Sequence, residues 1–298
     1  MQGNRKLLFF LIAISNIIVF AGCLGEENIS VFHYYDYDRD FPLQDSLNIT
    51  SENGQYEMYS VVYYSVHNER VTGLLTIPRS GKAPYPVIIF LHGIKDDKMA
   101  DYMQVGHQFL VDSGYAVLRI DGANHGERKR YEHKYNSIDG YRFWTRDLLA
   151  QTVFDLRRGI DFLEKRENID ANRIGYLGIS LGGVIGTIFC GVEERVKVPV
   201  VALAGGGLQF VFKFDAFTSE VRNYISIIDP INFVGAIAPR PLLMINAEKD
   251  EVVPPMSSKL LFEKAAEPKK IIWYSTKHRE VPQGEVYPEA IRWFKQYL

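Results

Sequence analysis

The stretch "GYLGISLGG", residues 175–183, places Ser180 between Gly178 and Gly182. The apolar run "RIGYLGI" leads into the serine with the composition of a strand, and "LGGVIGTIFC" leads out of it as a helix. This pattern is typical of a sharp strand-to-helix turn that lifts a serine hydroxyl clear of a sheet. Side chains at positions 178 and 182 would collide across such a turn, which accounts for the two glycines. The stretch therefore predicts Ser180 as a nucleophile.

Strand and helix signals alternate around this turn. The apolar runs "PVIIFLHG" and "YAVLRIDG" predict buried strands, and three further strands are predicted at "VPVVALAGG", "PLLMINAE" and "KIIWYST". Helical spacing covers residues 99–113 and 147–166 and two stretches near the end of the chain, "MSSKLLFEKAA" and "EVYPEAIRWFKQYL". Two earlier segments, "YSVVYYSV" and "VTGLLTIP", are predicted to pair as antiparallel strands. The alternation predicts an α/β fold, with a mostly parallel sheet covered by helices on both faces.

A serine hydroxyl is a weak nucleophile until a base takes its proton, and the base must be oriented by an acid. In hydrolases that carry the turn described above, the three residues follow the order serine, acid, histidine. Of the seven histidines in the chain, only His278 follows Ser180. The segment "MINAEKDEVVPP" offers Asp250 as the acid just beyond a buried strand, with Glu248 and Glu251 as alternatives.

The tetrahedral intermediate of acyl transfer needs hydrogen-bond donors for its oxyanion. One expected donor is the backbone N–H of Leu181, directly after the nucleophile. The other is the N–H of Ile94, in the loop after "PVIIFLHG". His92 in that loop and His125 in "NHGER" are predicted to fix loops and not to take part in catalysis.

Four stretches together resemble the α/β-hydrolases, and they are "FLHG", "DGANHGER", "ANRIGYLGISLGG" and "APRPLLMINAEKDEVVP". They are similar in particular to dienelactone hydrolases, acetylxylan esterases and the catalytic domains of prolyl-oligopeptidase-like enzymes. The resemblance covers residues 56–298 and implies an α/β-hydrolase fold with a small lid. It also implies that Ser180, Asp250 and His278 form a catalytic triad, although Lys277 stands where these families often have a glycine.

The expected function is hydrolysis of a small-molecule carboxylic ester through an acyl-enzyme on Ser180. A serine peptidase and a non-catalytic binding protein of the same fold are the alternatives. Prolyl-oligopeptidase-like peptidases usually carry a large N-terminal propeller, and residues 24–55 are too few to form one. An esterase is therefore favoured. The acyl and alcohol groups and the oligomeric state are not specified by the sequence.

Composition argues against several other classes of protein. With 34 Lys and Arg against 36 Asp and Glu, the net charge is −2, so the chain has no excess of positive charge to bind nucleic acid. The glycines at 205–207 lack the spacing of a nucleotide-binding loop, and no histidine–cysteine cluster offers a metal site. No cofactor and no metal are expected.

The first 22 residues read as an export signal or membrane anchor, because Arg5 and Lys6 precede an uncharged apolar run. That run ends in "FAGC", and the small residues before Cys23 resemble the lipidation site of prokaryotic lipoproteins. The protein is thus expected to be exported and held at the membrane on its extracytoplasmic side. Residues 23–55 are then a spacer and N-terminal extension, and residues 56–298 are the catalytic domain.

Two stretches interrupt the alternation of strands and helices, at residues 127–146 and 208–228. Ligands of open α/β sheets bind beyond the carboxyl ends of the strands, so insertions there are candidate lids. The second stretch is rich in phenylalanine and is predicted to line or cover the acyl site. Its phenylalanines are Phe210, Phe212, Phe214 and Phe217.

Overall fold

Nine β-strands form one sheet in the computed structural model, which describes residues 30–132, 142–208 and 219–298. In chain order they are β1 Ser46–Glu52, β2 Tyr56–Tyr64, β3 Arg70–Pro78, β4 Tyr85–Leu91, β5 Ala116–Ile120, β6 Ile169–Ile179, β7 Val196–Ala202, β8 Leu242–Ala247 and β9 Lys269–Tyr274. Their order across the sheet is β1-β2-β3-β5-β4-β6-β7-β8-β9. The six strands β4 to β9 run parallel, and β1 to β3 add an antiparallel edge.

Helices connect the strands and cover the sheet. The α-helices of the described residues are α1 Asp101–Asp112, α2 Arg142–Leu163, α3 Leu181–Val192, α4 Ser219–Ser226, α5 Pro255–Lys264 and α6 Gln283–Tyr297. Short 3₁₀ helices lie at His33–Tyr35, Val66–Asn68, Gly126–Arg128, Pro230–Asn232 and Val234–Ile237. The mostly parallel sheet with helices, predicted from the alternating runs, is confirmed, and so is the antiparallel pairing of β2 with β3.

The apolar strands are buried on both faces because helices cover both sides of the sheet. Along β4, Val87 and Ile89 belong to one core cluster, whereas Ile88 and Phe90 belong to the other. Residues of α2 and α3 pack in the first cluster, and residues of α1 and α6 pack in the second. Successive side chains of a strand point to opposite faces of the sheet, so one strand contributes residues to two separate cores.

The helix predicted over residues 147–166 begins earlier in the structure, at Arg142, and ends at Leu163. The helix predicted over residues 99–113 spans Asp101–Asp112. Several predictions lie outside the described residues: the export signal, Cys23, residues 133–141 of the insertion at 127–146, and the four phenylalanines of the insertion at 208–228. Within the described ranges, no helix is long and apolar enough to cross a membrane.

Residues 30–55, predicted as part of a spacer and N-terminal extension, pack on the folded unit and do not form a free spacer. The strand β1 lies in this stretch and pairs with β2 along the edge of the sheet. Upstream of it, Tyr35 is fully buried, and its hydroxyl donates a hydrogen bond of 2.6 Å to the carbonyl of Ile227. The Tyr35 ring packs against Phe154 of α2 and against Phe233. The domain therefore begins before residue 56.

Two arginines of α2 bind backbone carbonyls of the same N-terminal stretch. Arg157 donates to the carbonyl of Tyr35, and Arg158 donates to the carbonyls of Arg39 and Phe41. These bonds pair arginine side chains with carbonyls far away in sequence, so they cannot be predicted from a local sequence pattern. They explain why a polar stretch without a secondary-structure pattern is held in place.

Cys190 lies near the end of α3 and is fully buried. Burial raises the pKa of its thiol to about 12. A thiol in this state is protonated at neutral pH and behaves as a small apolar side chain.

The buried ring of Tyr35 gives a direct test of this N-terminal packing. We expect Tyr35→Ala to lower the free energy of unfolding by about 3–5 kcal/mol, because it empties a site between two aromatic rings. Tyr34→Ala is the matched control, since Tyr34 is 40% exposed, and it should cost much less. Urea unfolding measures both. Equal losses in the two variants would contradict the packing described here.

Candidate active site

Ser180 occupies the turn between β6 and α3 with φ 56° and ψ −117°. A non-glycine residue in such a conformation costs on the order of 1–3 kcal/mol and persists only where its neighbours enforce it. Two backbone hydrogen bonds do so here. The N–H of Ser180 donates to the carbonyl of Ala202 at 2.8 Å, and the N–H of Val184 donates to the carbonyl of Ser180 at 3.0 Å.

The glycines around Ser180 are required by close backbone contacts. A Cβ atom at position 178 would lie 2.3 Å from the carbonyl oxygen of Gly182. At position 182 it would lie 2.4 Å from the carbonyl oxygen of Leu91 and 2.7 Å from that of His92. The start of α3 therefore rests on the end of β4, and only glycine fits between them.

The hydroxyl of Ser180 lies at the end of a chain of three buried polar side chains. His278 Nε2 lies 3.0 Å from Ser180 Oγ, and His278 Nδ1 lies 2.7 Å from Asp250 Oδ2. The other carboxylate oxygen of Asp250 accepts the backbone N–H groups of Val252 and Val253 at 2.8 and 2.7 Å. Those two bonds fix the carboxylate, which in turn orients the imidazole.

The two alternative acids occupy other positions. Glu251 Oε2 accepts the backbone N–H of His278 at 3.2 Å, so the Glu251 carboxylate binds the backbone of His278 and not its imidazole ring. Glu248 is exposed at the end of β8. Of the three acids in this segment, Asp250 is the one that lies against the imidazole ring.

The two expected oxyanion donors flank Ser180. Leu181 is the first residue of α3, and the N–H groups of a first helical turn have no partner within their helix. Ile94 lies in the turn after β4 and lines the same cavity as Ser180. In the parts of the chain that the structure describes, neither N–H donates to a protein acceptor. Both are therefore available to an oxygen atom of a bound molecule.

His92 fixes the loop after β4. Its Nε2 accepts the N–H of Gly122 at 3.0 Å, so its Nδ1 carries the proton and donates to the carbonyl of Gly93 at 2.7 Å. Burial lowers the pKa of His92, which keeps the ring neutral in this tautomer. The carbonyl of Gly93 and the N–H of Ile94 belong to one planar peptide, so His92 holds the plane that carries a candidate oxyanion donor.

The cavity beside Ser180 has a volume of about 200 Å³. Its walls come from the turn after β4, the carboxyl ends of β6, β7 and β8, the loop after β9 and the start of α6. The apolar lining residues are Ile179, Ala202, Leu203, Ile245, Val252, Val281 and Val286. Polar groups of Asp96, Tyr102, Arg279 and Gln283 also line it. An apolar cavity with a few polar groups suits a small organic substrate.

Sequence reasoning missed Tyr102 and Asp96, which lie beside the serine turn. The Tyr102 hydroxyl accepts the N–H of Gly93 at 2.8 Å and donates to Asp96 Oδ2 at 3.0 Å. Tyr102 is the second residue of α1, and the helical pattern of this segment does not indicate a functional role for it. Across the described residues, no group of three or more His, Cys, Asp or Glu side chains is arranged to hold a metal ion.

Comparisons with known proteins agree with this architecture. Residues 36–204 match the family model described as acetyl xylan esterase (AXE1). The chain is 22% identical to the putative esterase YitV of Bacillus subtilis over 261 residues, which are 78% of this chain and 99% of that protein. It is 23% identical to the putative hydrolase YtaP of the same organism over 207 residues, 63% of this chain and 68% of that protein.

Solved structures share the fold. An acetyl xylan esterase from Paenibacillus sp. R4 superposes with a TM-score of 0.74 at 22% identity, covering 86% of this chain and 90% of that chain. Acetyl xylan esterase 1 from Thermoanaerobacterium sp. superposes with a TM-score of 0.75 at 18% identity, covering 89% and 92%. The predicted fold class and the predicted resemblance are thereby confirmed.

The contact at Gly182 gives a prediction on stability. We expect Gly182→Ala to destabilise the protein by about 1–3 kcal/mol or more, because the new methyl group meets backbone oxygens that cannot move independently. Gly284→Ala is the matched control: it lies in the first turn of α6 with no atom within 4 Å of the added Cβ. That control should be neutral or slightly stabilising. Urea unfolding of the two variants checks the contrast, and similar stabilities would contradict it.

Proposed function

Because this chain belongs to the acetyl xylan esterase family, we propose that it hydrolyses carboxylic esters by serine catalysis, through an acyl-enzyme on Ser180. The observation that carries the proposal is the continuous chain of contacts from Ser180 Oγ to His278 and on to Asp250, at 3.0 and 2.7 Å. A nucleophile, a base within hydrogen-bond reach and an acid that orients the base are the elements that acyl transfer requires.

In the first half of the reaction, His278 Nε2 takes the proton of Ser180 Oγ as the oxygen attacks the ester carbonyl. The N–H groups of Leu181 and Ile94 bind the resulting oxyanion. The tetrahedral intermediate then collapses: the bond to the alcohol oxygen breaks, and His278 gives its proton to the leaving alcohol. The acyl group remains on Ser180.

Water completes the reaction by the same steps. His278 takes a proton from a water molecule, which attacks the acyl carbonyl, and the proton returns to Ser180 Oγ as the carboxylic acid leaves. Asp250 accepts a hydrogen bond from Nδ1–H in every step, so that the lone pair of Nε2 faces the serine. It also stabilises the imidazolium form while the proton is on the ring.

The proposed substrate class is a small ester, in keeping with the cavity of about 200 Å³ beside Ser180. Acetyl esters are the first substrates to test, since acetyl xylan esterases are among the proteins of similar fold. A panel of p-nitrophenyl esters of increasing chain length, acetylated sugars and aminoacyl amides would define the acyl and alcohol groups. Turnover confined to the amides would instead favour the peptidase alternative.

The triad is tested by whether the losses of activity in two single variants combine in the double variant, with p-nitrophenyl acetate as the substrate. We expect Ser180→Ala and His278→Ala each to remove most of kcat. Because the two residues act as one unit, the double variant should be hardly slower than either single variant. Losses that multiply in the double variant would mean that His278 does not serve Ser180. A fluorophosphonate, which reacts with activated serines, should label the wild type and leave Ser180→Ala unlabelled.

The acid is tested by two substitutions of the same chemistry. Asp250→Asn keeps the shape but holds the imidazole in the wrong tautomer, a change that costs about 10⁴ in kcat in serine proteases. Glu251→Gln, the matched control, keeps an oxygen that can accept the N–H of His278 and should remain close to wild type. If Asp250→Asn were fully active and Glu251→Gln inactive, the assignment of the acid would be wrong.

We also propose that the protein is exported and anchored to the membrane on the extracytoplasmic side, through residues 1–22 or a lipidated Cys23. The basic start, the uncharged apolar run and the small residues before the cysteine support this proposal. If Cys23 is the lipidated anchor, replacing it with Ser should release the protein from membranes or block its processing. Cell fractionation and intact mass measure the outcome, and an unchanged membrane fraction with an unchanged mass would favour an uncleaved anchor.

A further inference from the structure

The hydroxyl of Tyr102 joins the two ends of the turn that follows β4. It accepts the N–H of Gly93, at the start of the turn, at 2.8 Å. It donates to the carboxylate of Asp96, at the end of the turn, at 3.0 Å. One side-chain atom thus closes the segment 93–96, which carries the N–H of Ile94 between its two contacts.

This turn needs such a closure because its own backbone holds it weakly. Its only backbone bond among the described residues runs from the N–H of Asp96 to the carbonyl of Gly93, at 3.4 Å. Lys95 has φ 65°, in the left-handed region that residues with a side chain rarely adopt. A strained turn with one long backbone bond keeps a single shape only where side chains enforce it.

The turn lies directly against the serine. A Cβ atom built on Gly93 would be 3.4 Å from the Cβ of Ser180, from the hydroxyl of Tyr102 and from Asp96 Oδ2 alike. Tyr102 therefore acts at the point where the turn meets Ser180. A displacement of the turn at this point changes the position of the Ile94 N–H relative to the serine oxygen.

We infer that Tyr102 is a positioning residue for the oxyanion site, holding the segment 93–96 so that the N–H of Ile94 meets the tetrahedral intermediate on Ser180. The inference rests on the proposed function of Ser180. Tyr102 itself transfers no proton in the reaction. Its effect is carried by the Gly93 N–H and by Asp96.

The chemistry of the hydroxyl suits this role. Burial raises the pKa of Tyr102 well above its ordinary value, and the neighbouring Asp96 carboxylate raises it further. The phenol therefore stays protonated and keeps its one donor for Asp96 while a lone pair accepts the Gly93 N–H. The Tyr102 backbone is fixed as well, because the Tyr287 hydroxyl donates to its carbonyl at 2.7 Å.

Tyr102→Phe removes the hydroxyl and leaves the ring. We expect kcat on p-nitrophenyl acetate to fall on the order of tenfold, less than the 10²–10³ that follows removal of an oxyanion donor itself. KM should change less than twofold, because the ground-state ester makes little use of the oxyanion donors. An arylboronic acid, which forms a tetrahedral adduct with the serine, should bind more weakly by the same factor as the fall in kcat.

Tyr63→Phe is the matched control. The hydroxyl of Tyr63 is buried and donates to the carbonyl of Asp155 at 2.7 Å, and Tyr63 does not line the active-site cavity. This variant should lose melting temperature without any change in kcat.

Should Tyr102→Phe fail to fold, Asp96→Ala takes its place. Asp96 is partly exposed, and its loss removes the hydrogen bond that holds the Tyr102 hydroxyl to the end of the turn. It should lower kcat and boronate affinity together.

Four outcomes overturn the inference. A Tyr102→Phe enzyme that folds and keeps wild-type kcat excludes a positioning role. If Tyr102→Phe does not fold, a wild-type kcat in Asp96→Ala excludes it in the same way. A loss of melting temperature and of kcat with unchanged boronate affinity would make Tyr102 merely structural. A wild-type protein that a fluorophosphonate does not label would overturn the proposed function and this inference with it, whereas a labelled wild type confines any failure to Tyr102.

Discussion

The contact between the backbone at Gly182 and the end of β4 is the constraint on which the rest of the site depends. Because α3 starts against the carbonyls of Leu91 and His92, the chain bends sharply at Ser180 and leaves the hydroxyl at the edge of the sheet. The same contact brings the turn after β4 beside the serine. A single close approach of two backbones thus brings together the proposed nucleophile and the donors that would serve its intermediate.

The remaining members of the site reach Ser180 because of strand order. β6, β7, β8 and β9 are parallel neighbours, so their carboxyl ends share one edge of the sheet. Asp250 and His278 follow the ends of β8 and β9, and the loops that carry them are long enough to return across that edge to the end of β6. The hydrogen bonds from Val252 and Val253 to Asp250 then fix the carboxylate, so the geometry does not depend on flexible side chains.

How far the sequence could predict this structure differs between its parts. The apolar strand runs and the glycines around Ser180 follow from local sterics, and His278 is selected by chain order alone. The acid is different: three acids lie within four positions of one loop, and only the course of that loop decides which one meets the imidazole. The packing of the N-terminal stretch at 30–45 does not follow from the sequence, because distant arginines bind its carbonyls. The role of Tyr102 has no sequence signal, since its partner groups are a backbone amide and one aspartate that belong to no motif.

Cys190 has a consequence for how the protein is handled and studied. It lies in α3, the helix that begins directly after Ser180, and its thiol is buried and protonated. Alkylating reagents attack thiolates that solvent can reach, so this sulfur becomes reactive only when the packing around it opens. Its rate of modification therefore measures how often the protein opens around the carboxyl end of α3 in the native state, without substrate, turnover or denaturant.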